Sequence, residues 1–274
     1  MNDVFMSVDS CGLEYAVYTS LMTPWMASLK PSSGYWGRLV GMLAPGEWLY
    51  NDAHYLVAEM EVDVEAARRW VPRPLRLASP ARASLFLAWF PHTSFGSVYR
   101  EAGLFLHVEP GRKGAVFSPW MIVDDDVALI LGRELLGYPK KMGTIDFSIE
   151  GDSVSGVASR RGVELVRMEG TLGERLSEPP PMLGRPHKNV RSSLGLAMPK
   201  LVAFTPREQA LEVRRAELRV TVGGSERDPL ASLGFGRVLS SRLHRVNLGA
   251  SFPPLPVSMV SPAWHLRQWL LRAH

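Results

Sequence analysis

The chain has 274 residues, 46% apolar and 21% charged, with 31 basic and 27 acidic side chains and a formal net charge of +4; such a chain can bury a sizeable core with a desolvated pocket inside it. No run of five basic residues argues for a nucleic-acid partner, and no stretch reaches the roughly 20 apolar residues of a membrane span. Cys11 is the single cysteine, which excludes an intrachain disulfide, offers no metal-type spacing and fits a reducing, cytoplasmic setting.

Residues 1–45 read as an N-terminal arm ahead of a single domain over 46–274. The arm is acidic at its start (Asp3, Asp9), broken by "LKPSSGYWG", and carries Trp25, Tyr35 and Trp36. It lacks the basic start of a secretion signal, and its aromatics suit packing on a neighbouring subunit, which makes a homo-oligomer the expected assembly. "HYLVAEMEV" predicts a strand. Asp63 then caps a helix running to about Trp70, which Pro72 ends. "ASLFLAWF", "GLFLHVEP" and "GAVFSPWMIVDDD" predict buried strands. Asp124, Asp125 and Asp126 are acidic enough to suggest a metal, but they better fit the capping of the next helix, "DVALILGRELLG". Gly137 suits the helix exit and Pro139 forbids its continuation.

"TIDFSIEGDSVSGVASRRGVELVRMEGTL" predicts three strands joined by turns at "GD" and "RRG", with Ile145, Phe147 and Ile149 alternating against polar neighbours. "SEPPPMLGRPHKN" reads as a loop within the domain, "QALEVRRAELRVTV" as another long strand, and "SPAWHLRQWLLRAH" as a closing helix capped by Ser261. Strands dominate, and the turns between them are short. The expected fold is therefore a β-rich α+β domain, an antiparallel sheet closed or nearly closed into a barrel-like form with a few helices around it.

The candidate chemistry lies at "ELLGYPKKMG", where Lys140 and Lys141 follow a Tyr-Pro corner amid apolar sequence. A free lysine, with a pKa of about 10.4, has roughly one amine in a thousand unprotonated at neutral pH. Burial and a neighbouring cation each favour the neutral amine, which can then attack a ketone and form a Schiff base. Successive side chains on a strand point to opposite faces, so both lysines need not enter one pocket. Leu135, Tyr138 and Met142 offer an apolar surround for Lys140.

"LGRELLGYPKKMG" resembles the active-site segment of the acetoacetate decarboxylase family, a Gly-Arg-Glu helix followed by an aromatic, a proline and two lysines. "WVPRPL" at 70–75 and "HTSFGSVYREAG" at 92–103 are similar to further family segments in order and spacing, so the resemblance covers roughly residues 48–270. It implies Lys140 as the Schiff-base lysine, Lys141 as its cationic neighbour and Glu101 as the catalytic glutamate. It also implies a small keto acid or ketone as substrate, and neither metal nor cofactor. The sequence departs from the family at two pocket charges: an arginine before the first strand falls in Ala53-His54-Tyr55, and a glutamate falls at Phe86. His54 is a candidate replacement for the arginine. Tyr138, Phe86 and Trp89 are candidate substrate contacts. The leading expectation is β-keto acid decarboxylation through a Lys140 enamine. Aldol addition with dehydration, or cyclisation, of a bulkier keto substrate is the alternative, and a non-catalytic binding or structural member of the superfamily the competitor. No nucleophilic-serine elbow or Gly-rich phosphate loop occurs.

Overall fold

The computed structural model describes residues 46–109, 114–177, 180–194, 197–252 and 254–273. The expected N-terminal arm, with Cys11, Trp25, Tyr35 and Trp36, lies outside the described residues. The elements are β1 (Gly46–Val62), α1 (Val64–Arg68), β2 (Arg76–Leu77), β3 (Arg82–Phe90), β4 (His92–Thr93), β5 (Tyr99–Glu109), β6 (Ala115–Val123), α2 (Asp126–Glu134), β7 (Lys140–Met142), β8 (Thr144–Glu150), β9 (Ser153–Arg160), β10 (Val163–Arg175), β11 (His187–Leu194), β12 (Ala197–Phe204), β13 (Arg207–Val222), a 3-10 turn (Leu230–Leu233), β14 (Phe235–Phe252), β15 (Leu255–Met259) and α3 (Pro262–Ala273).

The strands form one sheet in the order β15-β12-β11-β6-β5-β3-β1-β14-β13-β10-β9-β8, with β2, β4 and β7 attached to β5, β1 and β6. The β-rich α+β reading holds, and the short connections do give antiparallel neighbours. The sheet stops at β8 and β15 rather than hydrogen-bonding all the way round. It folds over instead, so that β8 and β9 pack across β3. Parallel pairing occurs where β7 and β11 flank β6.

Folding the sheet over buries the central strands on both faces, which is why "ASLFLAWF" reads as a nearly unbroken apolar run. Alternation along β1 sends Leu56, Ala58 and Met60 into a large core with Leu85, Leu104, Trp120, Ile122, Leu165 and Met168. It sends Ala53, Tyr55 and Val57 into a second cluster with Phe86, Phe90, Tyr99, Phe105 and Met121, closed by Ala128 and Leu129 of α2. Each central strand thus has one row of side chains for each compartment.

Helix ends follow the local rules. Asp63 Oδ1 accepts from Ala66 N at 2.7 Å and caps α1, which ends at Arg68. The acidic corner divides its work. Asp124 accepts from Arg100 N at 2.6 Å, Asp125 accepts from Ala128 N at 2.7 Å as N-cap, and Asp126 lies in the first turn of α2. Gly137 leaves the helix at φ 72°, where an added Cβ would also lie 3.0 Å from Val190 O.

Register across the sheet sets one row: Phe86 opposite Gly103, Gly103 opposite Met121, and Met121 opposite Lys140. The Phe86 ring lies over Gly103, whose hypothetical Cβ would meet Phe86 Cζ at 2.5 Å and Met121 Cε at 3.1 Å. Gly103→Ala therefore overpacks the second cluster. Its expected cost is about 1–3 kcal/mol, read as a lower urea midpoint, and an unchanged midpoint contradicts the packing.

Candidate active site

β7 is three residues long, and its two lysines part company. Lys140 turns into the aromatic cluster, and Lys141 into the large core. Both side chains are about 6% exposed. The reason is the alternation of a strand whose neighbour β6 has Met121 in one cluster and Ile122 in the other. Sharing of one pocket by two ammonium groups, implied by the resemblance, is not what the fold builds.

Lys140 Nζ lies 2.7 Å from Glu101 Oε2, at a glutamate whose side chain is 7% exposed. The approach is a charge contact without hydrogen-bond alignment. The amine also stands 5.3 Å from the ring centre of Tyr99 and 5.9 Å from that of Tyr138, within cation–π range. Its stem runs along α2 at Gly132, where an added Cβ would come within 2.5 Å of Lys140 Cε. A glycine inside a helix costs about 1 kcal/mol relative to alanine. Here it admits the lysine.

The pair opens on a cavity of about 50 Å³, room for more than one water molecule. Its walls are aromatic and aliphatic: Tyr50, Tyr55, Phe86, Phe90, Tyr99 and Phe105 from the sheet, Leu131 and Leu136 from the α2 segment, and Leu183 from the loop before β11. Lys140 and Glu101 are the only charged side chains among the described residues that line it. Burial, and then the negative charge of Glu101, push the phenols of Tyr55, Tyr99 and Tyr138 above their usual range, so they stay protonated.

The remaining sequence candidates divide. Phe86 and Tyr138 line the cavity. His54 and Trp89 do not. They face each other across β1 and β3 at 5.3 Å on the opposite side of the sheet, and His54 sits 3.5 Å from Asp52. Alternation again decides this, because Ala53 and Tyr55 take the pocket side. Burial lowers the His54 pKa despite the nearby Asp52 carboxylate. His54 therefore does not stand in for a pocket arginine.

Lys141 has a different set of partners. Its Nζ donates to Asp228 Oδ1 at 2.6 Å and to Arg227 O at 3.0 Å. Arg160 reaches Asp228 Oδ2 at 2.9 Å, and Trp120 Nε1 donates to Oδ1 at 2.9 Å. Burial pushes Asp228 up, but the hydrogen bond and charge of Lys141, with bonds from Trp120 and Arg160, hold its carboxyl below the usual range. Asp228 lies too far along the chain for sequence reading to pair it with Lys141. The Tyr99-Glu101-Gly103-Phe105 alternation was the available signal for the aromatic wall. No group of three or more His, Cys, Asp or Glu side chains suited to a metal occurs among the described residues.

A family model for acetoacetate decarboxylase (ADC) matches residues 32–251. The chain belongs to the acetoacetate decarboxylase family. An acetoacetate decarboxylase of Burkholderia vietnamiensis is 29% identical over 133 residues, 48% of this chain and 53% of that protein. The chain thus matches about half the length of such a relative. A solved acetoacetate decarboxylase superimposes with a TM-score of 0.74 at 17% identity, covering 87% of this chain and 99% of that one. The enduracididine biosynthesis enzyme MppR, solved with the condensation product of pyruvate and imidazole 4-carboxaldehyde, gives 0.64 at 20% identity, covering 79% and 91%. These two likenesses show the shared fold.

Two predictions follow from the charges. Asp228→Ala removes the buried carboxylate that Lys141 and Arg160 share, and its expected cost is about 3–5 kcal/mol in urea unfolding; a loss under about 1 kcal/mol would mean that the cluster behaves like a surface pair. The second concerns pH. Burial pushes His187 down to about 3, and His107 and His244 to about 4. The unfolded chain, with histidines near 6.5, binds protons first. Stability is therefore full above about pH 6.5 and falls as pH drops toward 4, by up to about 1.4 kcal/mol per group per pH unit. Urea midpoints measured from pH 8 to pH 5 check this, and a midpoint unchanged from pH 7 to 5 contradicts it.

Proposed function

We propose that the protein is a Schiff-base-forming lyase that decarboxylates a β-keto acid through Lys140. The observation that carries this reading is the Lys140–Glu101 pair, buried at 2.7 Å in an aromatic-walled cavity, in a member of this family. Lys140 passes a proton to Glu101 and adds to the ketone carbonyl as the neutral amine; a second proton from the nitrogen and the one held by Glu101 then go to the carbonyl oxygen, which leaves as water. The resulting iminium draws the C–CO2⁻ electron pair into an enamine as CO2 departs. Glu101 relays a proton from solvent to the enamine carbon, and water hydrolyses the product imine to free Lys140. No step needs a cofactor or a metal.

Apolar walls serve this sequence by excluding water that would hydrolyse the iminium early. Lys141 points into the other compartment, so Glu101 is the one charged side chain among the described residues that faces Lys140 in the cavity.

A second reading rests on a specific feature. Lys140 is the only cation among the described residues lining the cavity, and a buried carboxylate without a partner costs several kcal/mol. A neutral carbonyl substrate avoids that cost. The enamine would then arise by loss of an α-proton to Glu101 instead of by CO2 loss and would add to an aldehyde, a bond-forming outcome in keeping with the condensation product bound to MppR.

Borohydride treatment with a panel of keto acids, followed by intact mass and peptide mapping, tests the shared step. The expected result is one reduced adduct on Lys140, absent in Lys140→Ala and retained within about tenfold in Lys141→Met. Glu101→Gln is expected to slow turnover by about 10²–10⁴. An adduct on Lys141, or none with any keto acid, overturns the reading. Carbon dioxide release against aldehyde condensation then separates the two outcomes.

A further inference from the structure

The corner that presents Lys140 is docked on β11 by three contacts. Asn189 Nδ2 donates to Leu136 O at 3.1 Å. Gly137 backs onto Val190 so closely that an added Cβ would lie 3.0 Å from its carbonyl oxygen. The Tyr138 hydroxyl bonds to His187 Nδ1 at 2.9 Å.

His187 is fully buried, stacked on Phe204 at 5.4 Å and edge-on to Phe105 at 5.0 Å. Both of those rings line the cavity. Its Nε2 lies 3.2 Å from Leu183 O. A carbonyl oxygen only accepts, so Nε2 carries the hydrogen. Burial keeps the ring neutral, which leaves Nδ1 as an acceptor and makes Tyr138 the donor. Both ring nitrogens are committed, so His187 has no proton to exchange with a substrate.

The bonds continue past Leu183, itself a cavity wall. The backbone N–H groups of Met182, Leu183 and Gly184 donate to the Glu208 carboxylate of β13 at 3.2, 2.6 and 2.6 Å. His244, 3.9 Å from that carboxylate, is neutral because burial depresses its pKa. The three amides are thus the carboxylate's hydrogen-bond partners among the described residues. A continuous chain of bonds runs from Glu208 through the Leu183 loop and His187 to Tyr138, two residues before Lys140.

We propose that His187 is a positioning residue for the Lys140 chemistry: held by Tyr138 on one side and the Leu183 loop on the other, it fixes the amine's corner against the wall the substrate packs on. The inference rests on the Schiff-base reading. Reacting atoms must meet at about 3–3.5 Å, and displacement by 1 Å can cost about a hundredfold. A short strand following the Tyr138-Pro139 corner needs an external anchor to hold that tolerance.

The test is the rate of borohydride-trapped adduct formation at Lys140, followed by intact mass over a range of keto acid concentrations. It compares wild type with Tyr138→Phe, His187→Gln and the double variant. Tyr138→Phe removes only a hydroxyl and keeps the ring, so it guards against loss of folding. Each single variant is expected to lower the saturating rate by about ten- to a hundredfold while the half-saturating concentration moves less than about threefold. The double variant is expected to be no slower than the slower single, because the two residues form one unit. If wild type forms the adduct and Tyr138→Phe matches it, or if the two losses multiply, the positioning role is overturned. If wild type forms no adduct with any keto acid, the Schiff-base reading falls, and the positioning role falls with it.

Discussion

Strand alternation at β7 is the constraint from which the site follows. Two adjacent lysines on an extended segment must diverge, and the folded sheet places a separate apolar compartment on each side. Lys140 enters one with a single carboxylate, Glu101, and Lys141 enters the other with Asp228 and Arg160. Neither lysine is solvated, and neither serves the other. The doublet is one anchoring lysine beside one cavity lysine.

The difference between the two environments explains why only one of them suits chemistry. Lys141 is held by hydrogen bonds to a carboxylate and a backbone carbonyl, within a cluster that also binds Arg160 and Trp120. Its ammonium is committed to a buried carboxylate. Lys140 has a close carboxylate without hydrogen-bond alignment, two aromatic faces and a cavity. Gly132 and Gly103 are each glycine because a side chain would occupy the space of Lys140 or Phe86. The site is thus shaped as much by two missing methyl groups as by the charged pair.

What was legible in the sequence was local or periodic. Asp63 and Asp125 cap helices because a carboxylate followed by a helix-forming segment has one favourable place to bond. The divergence of Lys140 and Lys141 follows from the strand period alone. The strands β11, β12 and β14 were not legible. "HKNVRSSL" has no apolar alternation, and it becomes a strand by pairing with β12. Chemical type suggests His54 and Trp89 for the pocket, whereas their position in the alternation puts them on the other face. Glu208 and Asp228 were invisible for another reason: each acts on a segment distant in the chain, and only the folded sheet brings them there.

The central claim is that the substrate's carbonyl carbon becomes bonded to Lys140. That bond cannot form without expelling the carbonyl oxygen as water, whatever happens next at the enamine. The direct measurement is turnover of a keto acid carrying a heavy oxygen isotope at the ketone, with the product sampled faster than its uncatalysed exchange. Passage through the lysine imine predicts a product ketone whose oxygen comes from solvent, and no such turnover in Lys140→Ala. A product that keeps the labelled oxygen would show that the carbonyl was never replaced by the lysine nitrogen.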